Sequence, residues 1–211
     1  MLFCDVIGST ALGERLDPES LRRVLARYFD VARDAVGRHG GVVEKFIGDA
    51  VMAVFGVPLV HEDDALRAVR AAEELRGALE HLNEELQREY GTKLAVRIGL
   101  NTGEVVTGTD ERLATGDAVN VAARLEQAAE PGEILIGSDT LELLKGAVSV
   151  EPLEPLELKG KADAVAAYRL LALNASATAP GRRLDVPMVG RERQLEQLRG
   201  AFEHVVSERS C

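Results

Sequence analysis

Two aspartates stand where apolar strands should tolerate none. In "FCDVIGST" (Phe3 to Thr10) a β-forming apolar run carries Asp5 and then breaks into the small residues Gly8, Ser9 and Thr10. In "EKFIGDAVMAVF" (Glu44 to Phe55) Asp49 opens a second apolar run, four residues after Lys45. A carboxylate beside a buried strand is costly unless a cation or a hydrogen-bond donor compensates it. The pair is therefore read as a structural ion pair, a general acid/base pair or a cradle for divalent cations. The turn after Asp5 adds to the third reading, because small residues let backbone N–H groups approach an anion closely. Mg²⁺ is commonly held by one or two carboxylates together with substrate phosphates, so an acid followed by such a turn suits a nucleoside triphosphate. The four histidines form no Ser-His-Asp or Cys-His pattern. In "HEDD" (His61 to Asp64) the acids read as the opening of a helix, where they favour its positive end.

The elements that would position these groups follow from periodicity. "MLFCDV" is a short buried strand that starts abruptly. Asp17 and Pro18 are an N-cap and a first helical residue, and Leu21, Leu25, Tyr28, Ala32 and Ala35 recur at helical spacing up to Gly40 and Gly41. "VVEKF" and "AVMAVF" are strands joined by a tight hairpin at "IGD". Helical spacing returns from Asp63 to about Leu86, and "LAVRIGL" is a further strand. Strand, helix, strand, strand, helix, strand is the ferredoxin-like βαββαβ order, so the fold class is α+β. The first helix is a crossover, so strands one and two run parallel with a gap that strand three fills antiparallel to both. That arrangement brings the end of strand one, with Asp5, beside the start of strand three, with Asp49. Additional C-terminal strands and helices follow: "GEVVTG", a helix from Asp117 to about Gln127, "GEILIG", a short helix near Thr140 to Lys145, and strands around Val148 to Glu151 and Ala166 to Leu171. Gly99 and Gly103 in "GLNTG" read as serving a hairpin turn, and Cys4 as core packing.

Composition bounds the function. At 211 residues and 46% hydrophobic the chain can bury a real core. A formal charge of −10 disfavours nonspecific binding to nucleic acid or anionic lipid, which rests on excess Lys and Arg. No run reaches the roughly 20 apolar residues of a membrane span. Cys4 and Cys211 lie at opposite ends without metal-ligand spacing, which fits a reducing cytoplasm. Residues 173–187 read as a Pro- and Gly-containing linker, and residues 188–211 as the start of a further domain.

Five blocks, "FCDVIGST", "VEKFIGDAVMAVFG", "VRIGLNTGEVVTG", "TGDAVNVAARLEQAA" and "LKGKADAVAAYRL", resemble in order and spacing the class III nucleotidyl (adenylyl and guanylyl) cyclase catalytic domain over residues 1–172. The resemblance implies that Asp5 and Asp49, with the carbonyl of Val6, hold two Mg²⁺ or Mn²⁺ ions, and that Ile7, Gly8, Ser9 and Thr10 line the phosphates. It implies that Asn120 orients the ribose and Arg124 stabilises the transferring phosphoryl group, from one face of a helix. Arg97 and Lys159 match positions that contact the triphosphate. Lys45 matches the purine-selecting position, where lysine favours ATP. Its usual polar partner, three residues before Gly116, is replaced by Leu113, which leaves adenine to Lys45 and to backbone groups near Ala114 and Thr115. The implied activity is a cytoplasmic adenylate cyclase, with guanylate cyclase or a catalytically silent nucleotide-binding regulator as alternatives. The metal aspartates and the Asn/Arg helix come from opposite subunits in this family, so a head-to-tail homodimer is implied. Diguanylate cyclases share the topology, but their Gly-Gly-Asp/Glu-Glu-Phe hairpin is absent where "IGDAV" stands. "MVGRERQLEQL" resembles the entry to P-loop ATPase modules that follow such domains in multidomain bacterial regulators. No G-x-x-x-x-G-K-[ST] occurs, and the chain is read as a fragment of a longer protein.

Overall fold

The structure is a computed structural model that describes residues 1–105, 116–144, 146–156 and 164–174, together with Gln197 and Gly200. The first strand, β1 (Leu2–Ile7), is followed by a short helix α1 (Ser9–Arg15), where the small residues of the sequence predict a turn. Gly8, at φ +74°, reverses the chain in the left-handed region that only glycine enters freely, and Leu12 anchors α1 in the core. Helix α2 (Pro18–Arg38) begins as expected, with the Asp17 carboxylate accepting from the N–H groups of Glu19 and Ser20. Strands β2 (Val42–Ile47) and β3 (Ala50–Val54) flank a two-residue turn in which Gly48 takes φ +65°, as primed hairpin turns require. Helix α3 (Asp64–Tyr90) continues four residues past the expected Leu86, to a left-handed cap at Gly91. The chain continues through β4 (Ala95–Leu100), α4 (Asp117–Ala128), β5 (Ile134–Gly137), α5 (Ser138–Leu144), β6 (Val148–Pro152) and β7 (Ala167–Leu173).

The seven strands form one mixed sheet in the order β2-β3-β1-β4-β5-β7-β6. β3 lies between β2 and β1, antiparallel to both, and β4 lies antiparallel on the other side of β1. This is the ferredoxin-like core expected from the element order. β5 adds parallel to β4, and β7 and β6 complete the antiparallel end. The expected strand "GEVVTG" is not seen over Gly103–Val105, and Val106 to Gly108 lie outside the described residues. The reason is topological: the edge of β4 that a hairpin partner would use is taken by β5.

Side-chain alternation sorts the sheet into two faces. Leu2, Cys4 and Val6 of β1, Val51 and Ala53 of β3, and Val96, Ile98 and Leu100 of β4 pack into the main core, with Val24, Tyr28 and Ala32 of α2 and Leu66, Val69 and Leu75 of α3. Phe3, Met52 and Val54 point the other way and pack against Ala122 of α4. Asp5 shares the parity of Phe3, and Arg97 and Gly99 are their partners across the β1/β4 ladder, so all lie on the α4 side. Gly99 does not serve a hairpin. It lies within β4, and a Cβ there would sit 2.3 Å from both the Ala122 carbonyl oxygen and the Glu126 nitrogen. Gly103 has a similar role, since a Cβ would come 2.8 Å from the Ala118 Cβ. Both glycines let α4 lie against the sheet.

By compactness the chain divides into Met1–Pro180 and Gly181–Cys211. β7 reaches Leu173, and Asn174 donates its backbone N–H to Ala147. The rest of the expected linker and most of residues 188–211 lie outside the described residues; Gln197 and Gly200 are helical.

Replacing Gly99 by Ala is expected to destabilise the fold by about 1–3 kcal/mol, the range for overpacking. Gly77→Ala, at an exposed position of helix α3 with open space at its Cβ position, is expected to stabilise by about 0.5–1 kcal/mol. Urea unfolding of the two variants beside the parent chain checks both signs.

Candidate active site

Asp5 lies directly opposite Arg97 across the β1/β4 ladder, and the Arg97 Nη2 donates to the Asp5 carboxylate at 3.0 Å. The Nε of Arg97 is 2.5 Å from a Glu126 carboxylate oxygen, and its Nη1 donates to the Gln127 carbonyl at 3.3 Å. Arg97 is thus shared by two acids, one on β1 and one on α4. Glu126 is only 5% exposed. Burial pushes its carboxyl up to about 7; Arg97 opposes this, while Asp5 and Asp49 add to it. The same two aspartates also help to raise Tyr28, whose hydroxyl is lifted chiefly by burial. Asp5 and Asp49 therefore act on the same two buried groups from opposite segments of the chain.

The ladder explains their convergence. Cys4 pairs with Val51, which puts Asp5 one residue past the last β1/β3 pair and Asp49 two residues past it on the other strand. β1 continues to pair with β4 as far as Ile7, so the β3 side of Asp5–Ile7 carries no ladder partner. Both carboxylates are partly exposed at this edge. Among the described residues no group of three or more His, Cys, Asp or Glu side chains could hold a metal ion. A divalent ion here would complete its shell with backbone carbonyls, water and ligand oxygens. Mg²⁺ is usually held in that way, so the donor set fits it. Beyond the carboxylates, α1 starts without a side-chain cap on its first-turn N–H groups.

Lys45 reaches this face through a feature that plain alternation does not contain. The β2/β3 register runs Val43↔Ala53 and then Lys45↔Met52, so Glu44 is the extra residue of a β-bulge. Without it, Glu44 would share a face with Met52 and Lys45 would point toward α2. With it, Lys45 lies on the α4 side, half-buried, and Phe46 turns to α2, where its ring sits 4.3 Å from that of Phe29. Lys45 has no polar partner among the described residues.

Asn120 and Arg124 are four residues apart on α4 and both are exposed, while Ala118, Val121, Ala122, Leu125 and Glu126 form its buried side. Arg124 donates to Gln127 at 2.9 Å, and the fold brings neither residue into contact with Asp5. Lys159 and Leu113 lie outside the described residues, as do Ala114 and Thr115. The "HEDD" acids serve the start of α3: Asp64 accepts from the His61 N–H at 2.6 Å and Asp63 pairs with Arg67 at 2.8 Å. Cys4 is fully buried, its thiol pushed up to about 12 chiefly by burial, with the Tyr28 hydroxyl 3.2 Å away. Sequence reasoning missed Glu126. Its signal was an acid on the apolar stripe of α4, four residues after Ala122.

Residues 1–172 match the family model described as "Adenylate and Guanylate cyclase catalytic domain". Among curated proteins the chain is 30% identical over 178 residues to Adenylate cyclase 1 of Rhizobium meliloti (strain 1021), covering 81% of this chain and 27% of that protein. It is 35% identical over 136 residues to Adenylate cyclase of Anabaena cylindrica, covering 60% of this chain and 26% of that protein. The chain thus spans about a quarter of the length of these relatives. Among solved structures, the adenylyl cyclase CyaB from P. aeruginosa superposes with a TM-score of 0.77 at 32% identity, covering 84% of this chain and 95% of that one. The guanylyl cyclase Cya2 superposes with a TM-score of 0.78 at 32% identity, covering 84% and 93%.

Because folding raises the Glu126 carboxyl from 4.5 to about 7, its contribution to stability is full below pH 4.5 and is lost as pH rises through about 7. The stability difference between the parent chain and Glu126→Gln is therefore expected to be greater at pH 5 than at pH 8, by on the order of 1 kcal/mol or more. Urea melts at the two pH values give the difference, and a parent-minus-variant stability that stays level or rises from pH 5 to pH 8 contradicts it.

Proposed function

Because the chain belongs to the adenylate and guanylate cyclase catalytic domain family, we propose that it is the catalytic domain of a cytoplasmic adenylate cyclase, converting ATP to 3',5'-cyclic AMP and pyrophosphate at a homodimer interface. The observation that supports this reading is that Asp5 and Asp49 follow the last β1/β3 pair on adjacent strands, with Lys45 turned by the bulge to the side of the sheet that α4 covers. Asp5, Asp49 and the carbonyl of Val6 would hold two Mg²⁺ or Mn²⁺ ions, which when bound supply Lewis-acid activation of the attacking oxygen and charge neutralisation at the leaving one.

In the reaction, the 3'-oxygen of ATP forms a bond to the α-phosphorus, the bond from that phosphorus to the bridging oxygen breaks, and pyrophosphate leaves while the 3'-hydroxyl proton passes to solvent. No protein nucleophile is needed. Backbone N–H groups around Ile7, Gly8, Ser9 and Thr10 would receive phosphate oxygens at the uncapped start of α1. Lys45 would donate to an acceptor on the adenine ring. Asn120 would hold the ribose, and Arg124 would stabilise charge on the transferring phosphoryl group through its planar donor fork. Both stand on the exposed side of α4, away from the chain's own Asp5, which supports their acting on a site of the other subunit in a head-to-tail dimer. Lys159 is the further candidate for the triphosphate. We extend the proposal to organisation: a catalytic unit over residues 1–172, a linker over 173–187, and the beginning of another domain from 188.

Guanylate cyclase is the second reading, favoured by Leu113 in place of a polar purine partner and by the equal likeness to a solved guanylyl cyclase. Incubation with Mn²⁺ and either ATP or GTP, followed by mass identification of the product, decides between them. Cyclic AMP is expected, cyclic GMP would transfer the assignment, and no product from either would overturn catalysis in favour of a silent regulator. Asp49→Ala and Arg124→Ala are each expected to lower turnover by at least about 100-fold. Mixing the two inactive chains should restore one competent site per heterodimer, and heterodimers that form without regaining activity would contradict a shared site.

A further inference from the structure

We propose that Glu126 is a positioning residue for the metal site: by sharing Arg97, it weakens that guanidinium's hold on the Asp5 carboxylate, so that a divalent cation can displace it there. The inference rests on the reading of Asp5 as a metal ligand. Arg97 lies between two acids, 3.0 Å from Asp5 and 2.5 Å from Glu126. With Glu126 ionised, an arginine shared in this way leaves one net negative charge on the three groups. With Glu126 neutral, the pair Asp5–Arg97 would carry no net charge, and an arriving cation would have to displace the guanidinium from its only carboxylate.

The placement of Glu126 is fixed by packing. It sits where α4 approaches β4 closely, with its backbone nitrogen against Gly99, and its side chain is buried in that contact. A buried acid at an apolar helix position is costly unless it is paired, and its described charge partner is Arg97. The third contact of Arg97, to the Gln127 carbonyl, comes from the next residue of the same helix. α4 therefore grips Arg97 at two successive residues while presenting Asn120 and Arg124 outward. One rigid helix tunes its own chain's carboxylate and carries the groups offered to another copy.

The test is isothermal titration of the Mn²⁺ complex of 3'-deoxy-ATP, which lacks the attacking hydroxyl, into the 211-residue chain. Glu126→Gln, which keeps the shape and removes the charge, is expected to weaken binding by at least about 10-fold, the usual scale for groups that orient metal ligands. It should also raise the Mn²⁺ concentration for half-maximal turnover, which loss of fold alone would not move. Glu126→Asp is expected to recover most of the affinity. In an Arg97→Met background, where no guanidinium competes, Glu126→Gln is expected to change binding less than two-fold. Parent-like binding by Glu126→Gln, or an undiminished effect in the Arg97→Met background, would overturn the inference. If Glu126→Gln does not fold by circular dichroism, Glu126→Asp decides: binding intact supports retention of the charge as the requirement, and a 10-fold loss overturns it. A parent chain that binds no Mn²⁺–nucleotide at all would instead overturn the metal-site reading beneath it.

Discussion

The candidate site depends on one constraint: a carboxylate placed near the middle of a sheet, under a helix, must be compensated by charge that the sheet itself provides. Asp5 meets it through its cross-strand neighbour Arg97, and Arg97 in turn meets the buried Glu126 of α4. The three residues lie on β1, β4 and α4, so the charge chain also fixes how these elements sit. Gly99 makes the arrangement possible, because any larger residue would hold α4 away from β4 and draw Glu126 out of reach of Arg97.

A second constraint decides what else shares that face. Strict alternation along β2 would turn Lys45 to the α2 side and Glu44 to the α4 side. The bulge at Glu44 reverses this, and the contact of Phe46 with Phe29 on α2 records the reversal. One extra residue in a strand thus sets whether a cation or an anion shares the α4 side of the sheet with Asp5. The exposed side of α4 is a third part, with Asn120 and Arg124 turned from their own sheet. That division between an inward acid and an outward amide and guanidinium is why a dimer is proposed rather than a self-sufficient monomer.

Much of the fold was legible in the sequence because its signals are local. The Asp17 and Pro18 helix start, the "IGD" hairpin, the long apolar stripe of α3 and the order βαββαβ each follow from capping, turn chemistry or periodicity, and together they imply the neighbourhood of Asp5 and Asp49. What was not legible is tertiary. α1 is too short for periodicity to announce it, and Gly8 reads equally as a turn. Gly99 looked like turn chemistry because close approach of a helix to a strand leaves no mark on its neighbours. The bulge at Glu44 depends on the register of β3, and the role of Glu126 depends on an arginine 29 positions away.

Diffraction from crystals of the chain grown with Mn²⁺ and 3'-deoxy-ATP, with anomalous data collected at the manganese edge, addresses the central claim most directly. The account predicts manganese peaks bridged by the carboxylates of Asp5 and Asp49 of one subunit, with Arg124 of the partner subunit at the α-phosphate. Manganese bound elsewhere, or a nucleotide seated with Asp5 still closed on Arg97 and no ion beside it, would contradict it.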